Sequence, residues 1–335
     1  MVTISGRKRA VLLTALTVGV LAVSLAAECS FAASSYPTRP ITMIVPYGPG
    51  GGSDLSARLI AAYASKKLGQ PVNVANVIGA SGITGTMQCL SANPDGYTLM
   101  VVGTSNSSFL AASRADLPFR LEGMKWMGQW IADPQFYLFS AATPFKTLKE
   151  AMDFAKSTPE KFSWGAGAQG SQAMFQGLVL LNDAGVDIVK TRMVVFPEGV
   201  AASVQATLAG TVMMSTAMAT DVDKLMPTGK VKVLAAITKE RLTKYPNFPT
   251  AKEFGYSNAI LMSWYGISGP KNLPQDVVDA WDKLATEAAK DPEFQASADK
   301  MNKALAFLGP KEQEAYVMKE YADMKTLAEK VGIRK

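Results

Sequence analysis

Residues 46–54 read Pro46-Tyr47-Gly48-Pro49-Gly50-Gly51-Gly52-Ser53-Asp54. They follow an apolar run at 41–45 that reads as a buried strand. They precede residues 55–67, where Leu55, Leu59, Ala62 and Tyr63 recur at helical spacing. A glycine-rich turn between strand and helix presents the unpaired N–H groups and positive dipole end of the helix's first turn, and glycines let a ligand approach the backbone. Two readings fit this stretch alone: a cradle for an anion, or a plain turn with Ser53 or Asp54 as N-cap. The same arrangement recurs at Gly165-Ala166-Gly167-Ala168-Gln169-Gly170-Ser171, between a strand at 161–164 and a helix at 172–182. The recurrence favours the cradle.

The chain contains no histidine. Ser–His–Asp and Cys–His nucleophiles, histidine general bases and histidine-ligated zinc are thereby removed together. Carboxylate pairs or a Ser–Lys dyad remain open, but the acids are scattered over polar helix faces, where a solvated role is the default. Gly79-Ala80-Ser81-Gly82-Ile83-Thr84-Gly85 lacks both the G-x-G of a dinucleotide fingerprint and the GK[ST] of a P-loop, which disfavours NAD and ATP. No cofactor, no metal and no catalysis are expected.

The elements that must position the two loops follow from periodicity. A second strand at 71–77, a helix at 86–92 and a third strand at 97–102 give strand–helix–strand–helix–strand, hence a parallel sheet. Ligands of such sheets sit beyond the carboxyl ends of the strands. Thr104 and Ser105 then share a rim with the first loop, and Thr216 and Met218 end a strand at 211–216 on the matching rim. A structural role is the alternative for each of these four. Residues 136–141 read as a crossing strand and 261–269 as a second crossing. Between them fall helices at 148–155 and 200–208 and strands at 193–196 and 231–237. Amphipathic helices at 274–290 and 310–331 close the chain, with Trp281 and Tyr316 as core anchors. The fold class is α/β: two lobes joined by two hinge crossings, each offering a glycine-rich helix N-terminus to one cleft. Closure of such lobes on a ligand is a known domain motion.

A length of 335 residues suits about two domains. Arg7-Lys8-Arg9, an uncharged apolar run at 10–27 and the small residues around Ser30-Phe31-Ala32 read as a secretory signal, residues 1–32, cleaved after Ala32. An uncleaved anchor is the alternative. Cleavage removes three basic residues and one acidic, lowering the net charge from +6 to +4. That balance suits a small anion but not nucleic acid. It also removes Cys29 and leaves Cys89, in an apolar helical stretch, as a buried thiol without an internal partner.

The mature chain resembles the solute-binding proteins of the tripartite tricarboxylate transporter family, also called the Bug family. The likeness begins with Tyr36-Pro37-Thr38-Arg39-Pro40-Ile41, Val45 through the first glycine loop to Asp54, and Ala57-Arg58. It continues through Gly82-Ile83-Thr84-Gly85, Pro94-Asp95-Gly96-Tyr97-Thr98-Leu99, Leu234-Ala235, Arg241, Pro246 and Pro249-Thr250. It ends with Glu253-Phe254-Gly255-Tyr256, Trp264-Tyr265-Gly266 and Gly269-Pro270.

The resemblance implies a periplasmic two-lobe flytrap, with lobe 1 formed by residues 33–138 plus 262–335 and lobe 2 by 139–261. Its ligand would be a small organic acid, a di- or tricarboxylate or an aromatic carboxylate. Its partners would be the integral membrane permease subunits of a tripartite transporter. Carried over, the ligand-binding residues are Tyr47, Gly50, Gly51, Gly52 and Ser53 on one side and Ala166, Gly167, Ala168, Gln169, Gly170, Ser171 and Gln172 on the other. Relatives often carry a serine-rich second loop and a following histidine, whereas here Gln172 follows. Glu198, in Phe196-Pro197-Glu198-Gly199-Val200, is a further ligand-binding candidate. It would repel a carboxylate unless it turns outward or meets a ligand hydroxyl or amino group. Two rival functions remain: a sensor presenting the same ligand to a membrane receptor, and a secreted carboxylate-based enzyme.

Overall fold

The computed structural model describes residues 36–168, 170–196 and 199–334. The signal segment with Cys29, and the loop residues Gln169, Pro197 and Glu198, lie outside the described residues. The chain divides into Met1–Thr38 and Arg39–Lys335, and every strand and helix below belongs to the second unit.

The first sheet opens with β1 (Ile41–Val45), α1 (Gly52–Leu68), β2 (Val72–Asn76), α2 (Ile83–Leu90), β3 (Thr98–Gly103), α3 (Ser108–Ser113) and β4 (Met124–Asp133). The second sheet takes β5 (Gln135–Ser140), α4 (Leu148–Ser157), β6 (Ser163–Ala166), α5 (Gln172–Asp183), β7 (Arg192–Val195), α6 (Val200–Leu208), β8 (Met214–Met218), α7 (Ala219–Leu225) and β9 (Val231–Ala236). The chain then returns through β10 (Ser263–Pro270), α8 (Gln275–Ala288), α9 (Pro292–Lys300), β11 (Ala304–Leu308) and α10 (Pro310–Lys330).

Strand order is β11-β4-β10-β3-β1-β2 in one sheet and β7-β6-β8-β5-β9 in the other. β1 pairs in parallel with β2 and β3, as the strand–helix alternation requires. β10 runs antiparallel to β3 and β4, so the sheet as a whole is mixed. The second sheet repeats this plan, with β6 parallel to β7 and β8, and β5 antiparallel to β8 and β9.

The sheets are joined twice, by Pro134 between β4 and β5 and by the segment from β9 to β10. Proline lacks an N–H and fixes its φ, so it suits the point where one ladder stops and the next begins. A third link is made by packing. Met324, Leu327 and Ala328 of α10, with Ile333 beyond it, join Phe109 and Ala112 of α3 in one core with Phe175, Leu178 and Trp164 of the second sheet's layer. The Phe109 and Phe175 rings lie 4.8 Å apart.

Local signals explain most boundaries. Thr147 caps α4 by accepting from Glu150 N–H at 3.2 Å. Gly69 ends α1 in the left-handed region at φ 68°. Trp281 is fully buried and so is Cys89, whose thiol burial pushes up to about 12. Tyr316 departs from the expectation of a core anchor: it stays 39% exposed, with its ring edge-on to Trp264 and its hydroxyl donating to Glu320 Oε1 at 3.2 Å.

Candidate functional site

The first loop is fixed from within. Gly50 takes φ 82°, open to glycine at little cost, and its N–H donates to Asp54 Oδ2 at 2.9 Å. The N-cap of α1 is Gly51 and no side chain caps it, so neither Ser53 nor Asp54 holds that place. Asp54 instead turns back on the loop and accepts from Arg58 Nε at 3.0 Å and Asn76 Nδ2 at 2.9 Å. Burial alone would raise its carboxyl, but the bonds from Arg58, Gly50 and Asn76 and the Arg58 charge hold it down to about 2. This folded-state depression contributes stability above the ordinary carboxyl value of 3.8, lost as pH falls from there through about 2. Asp54→Asn is expected to cost roughly 1 kcal/mol at pH 7 once the solvent-facing Arg58 is discounted for screening. The difference from the wild type should vanish in urea melts near pH 2.

Tyr47 lies over the 79–82 turn. Its hydroxyl reaches Ser81 O at 3.5 Å, and a Cβ on Gly82 would stand 3.0 Å from that hydroxyl. Gly52 is where the loop meets the rest of the protein. A Cβ there would collide with the Tyr265 hydroxyl and stand 2.8 Å from Asp133 Oδ2.

In the second loop, Ala166 ends β6 fully buried, while Ala168 and Ser171 are half-buried. Ser171 is the N-cap of α5 and accepts from Met174 N–H at 3.3 Å. Gly170, at φ 74°, abuts Ser113 of α3, and a Cβ on Gly167 would lie 3.2 Å from Val200 of α6. These glycines allow helices to close over the loop.

The two loops converge on β10. Tyr265, packed on Gly52, stands two residues from Ser263 on that strand. Ser263 Oγ donates to Gln172 Oε1, and Gln172 opens α5. Thr104 Oγ1, just past β3, donates to the same oxygen at 3.2 Å, and Gln172 Nε2 donates to Leu261 O at 3.1 Å. Gln176 Nε2 donates to Gln135 Oε1 and, at 2.7 Å, to Leu261 O, while Gln135 Nε2 donates to Ser263 Oγ at 3.2 Å. Thr104 and Gln172 are thus brought together, and both are spent on a buried amide network that links the sheets. Ser105, beside Thr104, is half-buried. Thr216 is 2% exposed and paired across the ladder with Tyr137, away from these bonds.

Sequence reasoning missed Gln135, Gln176, Ser263, Asp133 and Lys303. Each is an ordinary polar residue until the fold buries it, and no local spacing marks it. Among the described residues no group of three or more Cys, Asp or Glu is placed to hold a metal ion, and no helix is long and apolar enough to cross a membrane.

Two mixed sheets, crossed twice and carrying paired glycine-rich helix starts, define the class of periplasmic solute-binding proteins. The structure of periplasmic binding protein BugD superposes with a TM-score of 0.72 at 26% identity, covering 90% of this chain and 100% of that one. MatC from Rhodopseudomonas palustris with bound malate gives 0.71 at 25% identity, covering 88% and 100%. In sequence the chain is 28% identical to protein BugT of Bordetella pertussis over 280 residues, 81% of this chain and 82% of the relative. The model of the tripartite tricarboxylate transporter family receptor matches residues 56–333, and the chain belongs to that family.

Proposed function

We propose that the protein captures a small organic acid, a di- or tricarboxylate or an aromatic carboxylate, and hands it to the membrane permease subunits of a tripartite transporter. The observation that carries this reading is the convergence of the α1 and α5 N-termini on one strand, β10, through Tyr265, Ser263 and Gln172. One carboxylate would lie against the N–H groups of residues 51–53, beside Tyr47 and Gly50, whose own N–H is held by Asp54, and against residues 166–171. Charge-assisted hydrogen bonds to a desolvated anion are the strong kind. Thr104 and Gln172 would brace the closed cleft rather than touch the ligand. The malate in MatC, a relative by fold and sequence, supports the carboxylate class.

In this reading residues 1–32 direct export to the periplasm, and the lobe divisions near 138 and 261 are the hinge. The ligand is bound without being turned over. A thermal-shift panel of mono-, di- and tricarboxylates and aromatic acids tests it. At least one acid should raise Tm by several degrees, since saturating ligand at a hundred times Kd adds about 2.7 kcal/mol. A well-folded sample that responds to none contradicts it.

A further inference from the structure

Beneath the first loop lies a buried ion pair with no part in the ligand contacts above. Lys303 Nζ donates to Asp133 Oδ1 at 2.6 Å, with side chains 2% and 8% exposed. Asp133 ends β4 opposite Ser263 of β10, and Lys303 immediately precedes β11. The Tyr265 hydroxyl lies beside Asp133 against Gly52, and the Lys303 ammonium stands 5.1 Å from the Tyr265 ring centroid. The other carboxylate oxygen, Oδ2, lies against Gly52, the first residue of α1.

A carboxylate beside a helix start occupies the favourable field that a bound anion would use, and it repels a second anion there. Burial raises the Asp133 carboxyl above its ordinary value, and the Lys303 charge and hydrogen bond oppose that rise. The ammonium therefore does more than complete a pair. It cancels a negative charge in direct contact with the proposed anion cradle.

We propose that Lys303 is a positioning residue of the carboxylate site, neutralising Asp133 so that the α1 N-terminus keeps its attraction for the ligand. This inference rests on the carboxylate reading of the cleft. It predicts an order of affinities that a purely structural pair would not produce. Asp133→Asn leaves the ammonium unopposed and should bind acid about tenfold tighter than the wild type, as expected for one unit charge several ångströms away at intermediate dielectric. The Asp133→Asn/Lys303→Met double variant restores neutrality and should return to within about twofold of the wild type. Lys303→Met alone should bind more weakly than the double variant, by up to about tenfold according to how far the unpaired buried carboxyl stays ionised.

The experiment is titration calorimetry of the full mature chain and the three variants with malate, then with succinate, citrate, benzoate and phthalate, with circular dichroism as the folding control. If Lys303→Met does not fold, the other three proteins still rank. Equal affinities among the folded proteins overturn this proposal and leave the carboxylate reading standing. Silence of the wild-type chain towards all five acids overturns both.

Discussion

Gly52→Ala is expected to weaken carboxylate binding about tenfold or more, while Gly123→Ala, outside the cradle, binds like the wild type. The contrast comes from the space around each. An added Cβ at Gly52 would collide with the Tyr265 hydroxyl and crowd Asp133, whereas at Gly123 no atom lies within 4 Å. Gly123 ends the short turn Leu121–Gly123 outside the left-handed region, so alanine is accepted there without strain. To admit the methyl group, the first turn of α1 must move off β10 and carry its N–H donors with it. Losing one hydrogen bond to a charged group costs about 1.5–3 kcal/mol, which is tenfold or more in affinity. Calorimetry on the pair, alongside thermal melts, separates loss of the cradle from loss of the fold. Equal affinities in the two variants would contradict the placement of the donors.

Glu320→Gln is expected to flatten the dependence of stability on pH. Glu320 is buried on α10, accepting from Ser108 Oγ, from Trp264 Nε1 at 3.2 Å and from Tyr316 OH. Burial raises its carboxyl from 4.5 to about 7, against the opposing pull of those three hydrogen bonds. The sign follows from proton counting. Between 4.5 and about 7 the folded state keeps a proton that the unfolded state releases, so stability falls as pH rises through that window and levels off above it. The full span is about 3 kcal/mol at about 1.36 kcal/mol per pH unit. Denaturant melts at pH 4, 6 and 8 should show the wild type losing stability relative to the glutamine variant with each step. Parallel curves for the two proteins would contradict the assignment. Ser108 opens α3 a few residues beyond Thr104, and Trp264 adjoins Ser263, so the same titration tugs on both sides of the amide network.

Much of this molecule is legible in its sequence because its motifs are local. A short strand, a glycine turn and a helix lie in contiguous sequence at β1–α1 and again at β6–α5; β1 and α5 start where expected, while β6 runs over Ser163–Ala166 rather than 161–164 and takes Gly165 and Ala166 from the expected loop. The start of α1 is less legible. Periodicity begins at Leu55, but α1 begins at Gly52, because the loop's glycines serve as cap and first turn. β4 is hidden for a different reason. Met-Lys-Trp-Met-Gly-Gln-Trp-Ile-Ala-Asp shows no alternation because β10 and β11 flank the strand and helices cover it, so nearly every position is buried.

The site divides the same way. The glycine loops could be read as donors from spacing alone, but what holds them could not. Lys303 and Asp133 stand 170 residues apart, and Gln172 and Ser263 stand 91 apart. In sequence Lys303 is one more surface lysine and Gln172 a plausible ligand contact. Only the approach of β11 to β4, and of α5 to β10, turns one into a buried counter-ion and the other into a link between the sheets.

The central claim is that one carboxylate is held between the α1 and α5 N-termini. A crystal structure of the protein with its tightest acid from the panel tests this most directly. A carboxylate oxygen should lie about 2.7–3.1 Å from N–H groups of residues 51–53, with the opposite side of the ligand against residues 166–171. Density for the acid elsewhere, with both helix starts occupied only by water, would contradict the account.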